Sequence, residues 1–270
     1  MSREMETTTP VLEMRGVTKR FGGITACKDI TFSVAKGQIM GLIGPNGAGK
    51  TTAFNLITGV YGLTAGAVLL EGEAITGKRP DLIVRQGIAR TFQNIRLFRN
   101  LSVLDNVIIA LDCHETYLLS SSFLRLPVVV RREKAVREQA MAFLSAVGLE
   151  DKCMVRADAM PYGLQRKLEI ARALALKPRL LLLDEPAAGM NPEESLDLAR
   201  LIRKLHDQFN LTTLLIEHHM DVVMALCEKI FVMNFGEKLA EGSAEAIQND
   251  PDVLKAYLGE GFKRAQHPQS

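Results

Sequence analysis

Eight consecutive residues, Gly44-Pro45-Asn46-Gly47-Ala48-Gly49-Lys50-Thr51, satisfy the pattern G-x-x-x-x-G-K-[ST]. Chemistry requires each invariant position. Gly44, Gly47 and Gly49 let backbone N–H groups turn inward around phosphate oxygens, Lys50 supplies a point charge, and the Thr51 hydroxyl ligates Mg²⁺. Thr52 is grouped with this loop as a nucleotide contact. Far along the chain, the apolar run 180–183 ends in Asp184-Glu185. A carboxylate at a strand end can hold a hard cation through water, and Glu185, one residue on, is placed as general base on an attacking water. The two segments together describe phosphoryl transfer from a nucleotide.

Both segments need strands to aim them. Residues 39–43 are an apolar strand feeding the Gly-rich loop, and a helix over 51–59 should follow, its positive end toward the phosphates. Residues 11–19 and 30–34 read as short strands, and 68–71 with its glycines suggests a small β-rich lobe. From about 95 to 159 the pattern turns helical, with 132–147 the clearest helix and Gly148 just past its end. Lys177-Pro178 breaks a further helix before the buried strand at 180. Asn191-Pro192-Glu193-Glu194 is a helix start, combining a cap, a proline at the first turn and two acids at the positive end. Strands at 212–216 and 230–234 complete an alternation of strand and helix, which implies a mostly parallel sheet with right-handed crossovers.

Composition narrows the class. The chain has 270 residues, 47% hydrophobic and 24% charged, the balance of a globular protein with a substantial core. A net charge of +2 is too mild for a surface built on nucleic-acid phosphates. Cys27, Cys113, Cys153 and Cys227 form no C-x-x-C pair and read as reduced core thiols. The polar residues 1–9 lack the apolar stretch of a secretory signal, and no run approaches the roughly 18 apolar residues of a membrane span.

The segment Tyr162-Gly163-Leu164-Gln165-Arg166-Lys167-Leu168-Glu169-Ile170-Ala171-Arg172, just ahead of Asp184-Glu185, resembles the signature of ABC ATPases. Gln93 in Arg90-Thr91-Phe92-Gln93 resembles their Q-loop, Ala188-Gly189-Met190-Asn191 stands at the D-loop, and His218 stands at the switch histidine. Phe21 is placed like the aromatic that stacks on adenine. The resemblance implies an α/β P-loop NTPase fold with a mostly parallel core, an antiparallel β subdomain and a helical subdomain. It implies a tail at 1–9, a core at 10–94 and 164–242, a helical subdomain at 95–163 and a C-terminal helical extension and tail at 243–270. It also implies ATP and Mg²⁺ as ligands: Thr51, Gln93 and Asp184 hold the metal, and Glu185, His218 and Gln93 serve hydrolysis. Two such subunits would meet head to tail, so that Tyr162, Gly163 and Gln165 of one face the γ-phosphate held by the other.

Within that family, the quoted segments and the tail Asn249-Asp250-Pro251-Asp252-Val253-Leu254-Lys255-Ala256-Tyr257-Leu258-Gly259-Glu260 are similar to the ATPases of branched-chain amino-acid importers. The insert at 114–130 fits the same group. The resemblance implies a second ATPase subunit, two membrane permeases and an indirect solute-binding protein as partners, with the chain on the cytoplasmic face of the plasma membrane. Alternatives are the ATPase of a lipopolysaccharide exporter or of a urea or amide importer, and, further off, a soluble ABC ATPase. Two departures stand out. Pro161 occupies the usual signature Ser and offers neither hydroxyl nor N–H, and Tyr162 replaces the first signature Gly. The cluster Arg125, Arg131, Arg132, Lys134, Arg137 reads as a solvated helix face. Strand alternation places the rings of His218 and His219 on different sides, with His218 toward phosphate and His219 toward solvent or a subunit boundary.

Overall fold

The computed structural model describes residues 9–112 and 127–257, with side chains described outside 127–130. Among the described residues, ten strands form two sheets. In the first, β1 (Leu12–Phe21), β2 (Ile24–Val34), β4 (Ala65–Leu70) and β5 (Glu73–Ala74) pair antiparallel in the order β2-β1-β4-β5. In the second, β3 (Ile39–Ile43), β6 (Ile88–Arg90), β7 (Leu180–Asp184), β8 (Thr213–Ile216), β9 (Lys229–Asn234) and β10 (Glu237–Gly242) take the order β10-β9-β3-β8-β7-β6. Neighbours from β9 to β6 are parallel, and only β10 runs antiparallel, on the edge.

The parallel strands are buried on both faces, as their near-continuous aliphatic runs require. Alternate residues feed different cores. Ile39, Ile43, Leu181, Leu183 and Leu215 pack into a cluster with the helices α3 (Val103–Asp112), α4 (Pro127–Ala146), α5 (Tyr162–Ala175) and α6 (Pro192–Phe209). Met40, Leu42, Leu180, Leu182, Leu214 and Ile216 pack on the other side with the antiparallel sheet and with α1 (Lys50–Ile57).

Local rules explain the helix ends. Asn191 caps α6 by accepting from the Glu194 N–H, and the Glu194 carboxylate returns to the Asn191 N–H. Gly148, at φ +71, follows α4, and Lys177, at φ +48, closes the turn after α5.

Several boundaries differ from the sequence reading. β2 begins at Ile24 rather than 30, because register shifts against β1 let residues 24–29 continue the pairing. α4 begins at Pro127, a residue suited to a first turn, rather than at 132. The short helices α2 (Pro80–Arg85) and α7 (Met220–Leu226) fall where no element was assigned, whereas α8 (Ala244–Gln248) lies in the C-terminal stretch expected to be helical. Residues 1–8 of the expected tail at 1–9, most of the insert 114–130, Cys113 and Arg125 lie outside the described residues. Among the described residues no helix is long and apolar enough to cross a membrane.

Candidate functional site

The Gly-rich loop leaves β3 between two walls of backbone. Gly44 stands at φ +149, where an added Cβ would lie 2.0 Å from the Met233 carbonyl oxygen. Gly49, at φ +100, precedes α1, and a Cβ there would lie 2.4 Å from the Ala26 carbonyl oxygen. No side chain fits at either position, so the loop's curvature depends on both glycines. Lys50 is the first residue of α1 and is 7% exposed; its ammonium donates to the carbonyls of Gly44 (2.6 Å) and Pro45 (2.8 Å). The charge is thereby held against the loop it serves.

An open cavity of about 450 Å³ lies on this loop, walled by Asn46 to Thr52, Ile24 to Ala26, Gln93, Glu185, Phe235 and Gly236. It brings together most of the residues expected from sequence. Gln93 donates its amide to Oε2 of Glu185 at 2.8 Å. Glu185 has φ +46, a left-handed backbone that a Glu rarely adopts and that the flanking strand and turn must sustain. Nδ1 of His218 lies 3.8 Å from Oε2 of Glu185, and that ring is about half exposed. Asp184, at the buried end of β7, is met by the Arg90 guanidinium at 2.7 Å. Arg90 also donates to Asn55 of α1 at 2.7 Å, so one side chain joins the phosphate-loop helix to the strand-end carboxylate.

The histidines correct one expectation. Their rings do not part to opposite sides but lie 4.1 Å apart. β8 ends at Ile216, and His219 already precedes α7, so two-residue alternation no longer governs them. Both approach Glu217, with Nδ1 of His218 at 3.6 Å and Nδ1 of His219 at 3.1 Å, and among the described ion pairs only His218 also reaches Glu185, at 3.8 Å.

Phe21 is 43% exposed and stacks edge-on against Tyr61 at 5.2 Å, with the Lys19 ammonium 4.8 Å from its ring. It stands beside the cavity rather than in its wall; its cross-strand partner Ile24 is in the wall. Tyr162 and Gly163 open α5, whose N-cap, Pro161, gives no side-chain hydrogen bond, and the space around Gly163 is open. The Tyr162 hydroxyl donates to the Ala188 carbonyl at 3.1 Å and accepts from Arg166 at 3.0 Å. Gln165 turns inward, donating to Met160 O at 2.7 Å.

Four residues here escaped the sequence reading: Arg90, Arg166, Glu217 and Phe235. Arg166 is fully buried, donating to the carbonyls of Phe92 (2.7 Å) and Gln93 (2.9 Å) and to Glu169 (2.6 Å). It therefore straps the Gln93 loop to α5. Burial pushes the Glu169 carboxyl upward, against the pull of Arg166 and the N–H groups of Phe92 and Arg96. Arg90 and Arg166 sit inside segments already singled out, but those segments are rich in polar and charged residues, and nothing local separates these two cations from their neighbours. Phe235 is 84% exposed and has φ +47, a costly pairing for an aromatic that no local pattern announces.

Residues 27–188 match the family model described as ABC transporter, and residues 237–263 match that of the branched-chain amino acid ATP-binding cassette transporter. The chain is 45% identical to the high-affinity branched-chain amino acid transport ATP-binding protein BraF of Pseudomonas aeruginosa, covering 93% of this chain and 98% of that protein. It is 43% identical to LivG of Escherichia coli, a protein of the same description, over the same shares. A crystal structure of an ATP-binding cassette of an ABC transporter in its ADP conformation superposes with a TM-score of 0.80 at 31% identity, covering 93% of this chain and all of that one. The chain belongs to the ABC transporter family, as one of its ATP-binding cassettes.

Proposed function

We propose that this ATPase powers the import of branched-chain amino acids, working as a peripheral subunit on the cytoplasmic face of the membrane beside permease subunits and a second cassette. The catalytic reading rests on one convergence: Lys50, Gln93 and Glu185 wall the same cavity, with Gln93 and Glu185 in direct contact. Nucleotide phosphates would lie on the loop 44–51, with the positive end of α1 toward them. Thr51, Asp184 and Gln93 offer a hydroxyl, a carboxylate and an amide oxygen, a hard-oxygen donor set that suits Mg²⁺. The metal would neutralise charge between the phosphates. Glu185 would take the proton of the attacking water, and His218 beside it would contact the γ-phosphate.

The open N-terminus of α5 supports the two-sided arrangement. Its first N–H groups lack a side-chain cap, and Gly163 leaves the approach clear, as an anion held by another subunit would need. Closure is then a population shift, since ATP binds the joined pair better than the open one. Residues 95–163 are read as the lobe that meets the permeases. The substrate reading rests on the C-terminal family match and on two relatives named for branched-chain amino acids. A lipopolysaccharide-export relative from Acidithiobacillus ferridurans is 33% identical, well below these.

Two measurements test the proposal. Glu185→Gln should bind ATP, lose hydrolysis and accumulate as a cassette pair with its partner, read as an ATP-dependent rise in mass by light scattering. Leucine uptake should vanish in cells lacking the chain and return with the parent but not with Lys50→Ala. Normal leucine uptake in the deletion strain, with urea or amide uptake lost, would reassign the solute.

A further inference from the structure

Glu217 is a fully buried carboxylate between the two loops that carry Glu185 and His218. Oε1 accepts the backbone N–H of Ala187 at 2.9 Å, two residues after Glu185. Oε2 accepts the N–H groups of His218 (2.8 Å) and His219 (3.1 Å), with Nδ1 of His219 also at 3.1 Å. The loops meet elsewhere through the Glu185 N–H, which donates to Ile216 O at 2.9 Å, but that bond belongs to the end of the strand pair. Beyond it, among the described contacts, the two oxygens of one carboxylate join the turn after Glu185 to the turn at His218.

Glu217, His218 and His219 each bring one ligand-type atom within 4.8 Å of the others, which could suggest a metal site. Oε2 already accepts two backbone N–H groups, however, so the carboxylate is spent on hydrogen bonds. An ionised carboxylate has only acceptors, and every polar partner here is a donor or can be one. Such bonds to charge are stronger than neutral ones and hold a geometry against thermal motion.

We propose that Glu217 is a positioning residue that fixes the spacing between Glu185 and His218 by accepting from both turns at once. It touches no substrate. This inference rests on the reading of Glu185 and His218 as hydrolytic residues given above. The choice of carboxylate is specific, since an amide at this site has one acceptor oxygen for two sets of donors and turns its NH₂ against the other set.

The test is ATPase activity of the assembled transporter with Glu217→Gln, Glu217→Asp, His218→Ala and the double variant Glu217→Gln/His218→Ala, alongside thermal melting and ATP affinity. Glu217→Gln should lower kcat by about 10- to 100-fold, the loss that misplacement by about an ångström causes, with KM for ATP within about threefold. Glu217→Asp keeps both acceptors on a shorter stem and should fall between the two. In the His218→Ala background, Glu217→Gln should cost less than about twofold more, because residues acting as a unit are not additive. Full additivity, or a Glu217→Gln loss in which kcat and ATP affinity fall together, would overturn the positioning role. If Glu217→Gln fails to fold, Glu217→Asp decides the same point, with kcat lowered and KM kept as the supporting result. His218→Ala turning over like the parent would instead remove the hydrolytic reading itself, and this inference with it.

Discussion

Arg90 and Asp184 meet at 2.7 Å, with side chains 8% and 6% exposed. A buried pair of this kind gains its worth from completeness: removing one partner strands the other charge. Arg90→Met should lower stability by about 3–5 kcal/mol and hydrolysis with it. Arg90→Lys should recover only part, because an ammonium cannot span Asn55 and Asp184 as the guanidinium fork does. Urea denaturation checks both, and a loss below about 1 kcal/mol for Arg90→Met would mean the pair does not persist in solution.

Lys50 supplies a contact that nothing else in the cavity wall can replace. Lys50→Ala should cut ATP turnover by at least about 10²-fold while leaving the fold intact, the usual cost of deleting one electrostatic clamp. Turnover assays and melting temperature measure the two halves. Near-parental turnover would dismiss the phosphate cradle.

The paired histidines should behave unequally despite lying ring to ring. His218→Ala should depress hydrolysis strongly with little change in ATP affinity, since it approaches Glu185 at 3.8 Å. His219→Ala should stay within a few-fold of the parent. Both are read by ATPase activity and nucleotide titration, and an inactive His219→Ala beside an active His218→Ala would exchange the roles.

Two thiols give a pH dependence with a definite sign. Burial pushes Cys27 up to about 11 and Cys227 up to about 12, from 9.0. Between about pH 9 and those values the unfolded chain has lost protons that the folded chain retains, so stability should fall as pH rises through that window and be unaffected below it. Thiol reagents at pH 8 should label neither residue until the protein is denatured. Rapid labelling of Cys27 or Cys227 in the native protein would contradict this packing.

What the sequence made legible was what a short window contains. The phosphate loop, the strand ending in Asp184-Glu185 and the capping box at Asn191 are each complete within about a dozen residues, and each forms where it was expected. The Gly-rich loop is also constrained in residue type by its backbone, so identity and position reveal it together. Arg90, Arg166 and Glu217 were harder to see because their partners lie 94, 74 and 30 positions away in the chain, and a buried charge is recognisable only when its distant partner is known. The histidine rings illustrate a different limit. The period of a strand was extended past Ile216, where the strand had already stopped.

The alternation of side chains along β3, β7 and β8 makes the central sheet a bulkhead between two compartments. Neighbouring positions drain to different sides. A void cut at Leu181 or Leu183 opens beneath the helices, and one cut at Leu180 or Leu182 opens beneath the antiparallel sheet and α1. A change of side chain at one position along these strands is therefore felt first in one compartment and not in the other. What passes between the compartments passes at the rim, where the strands end at Ile43, Asp184 and Ile216.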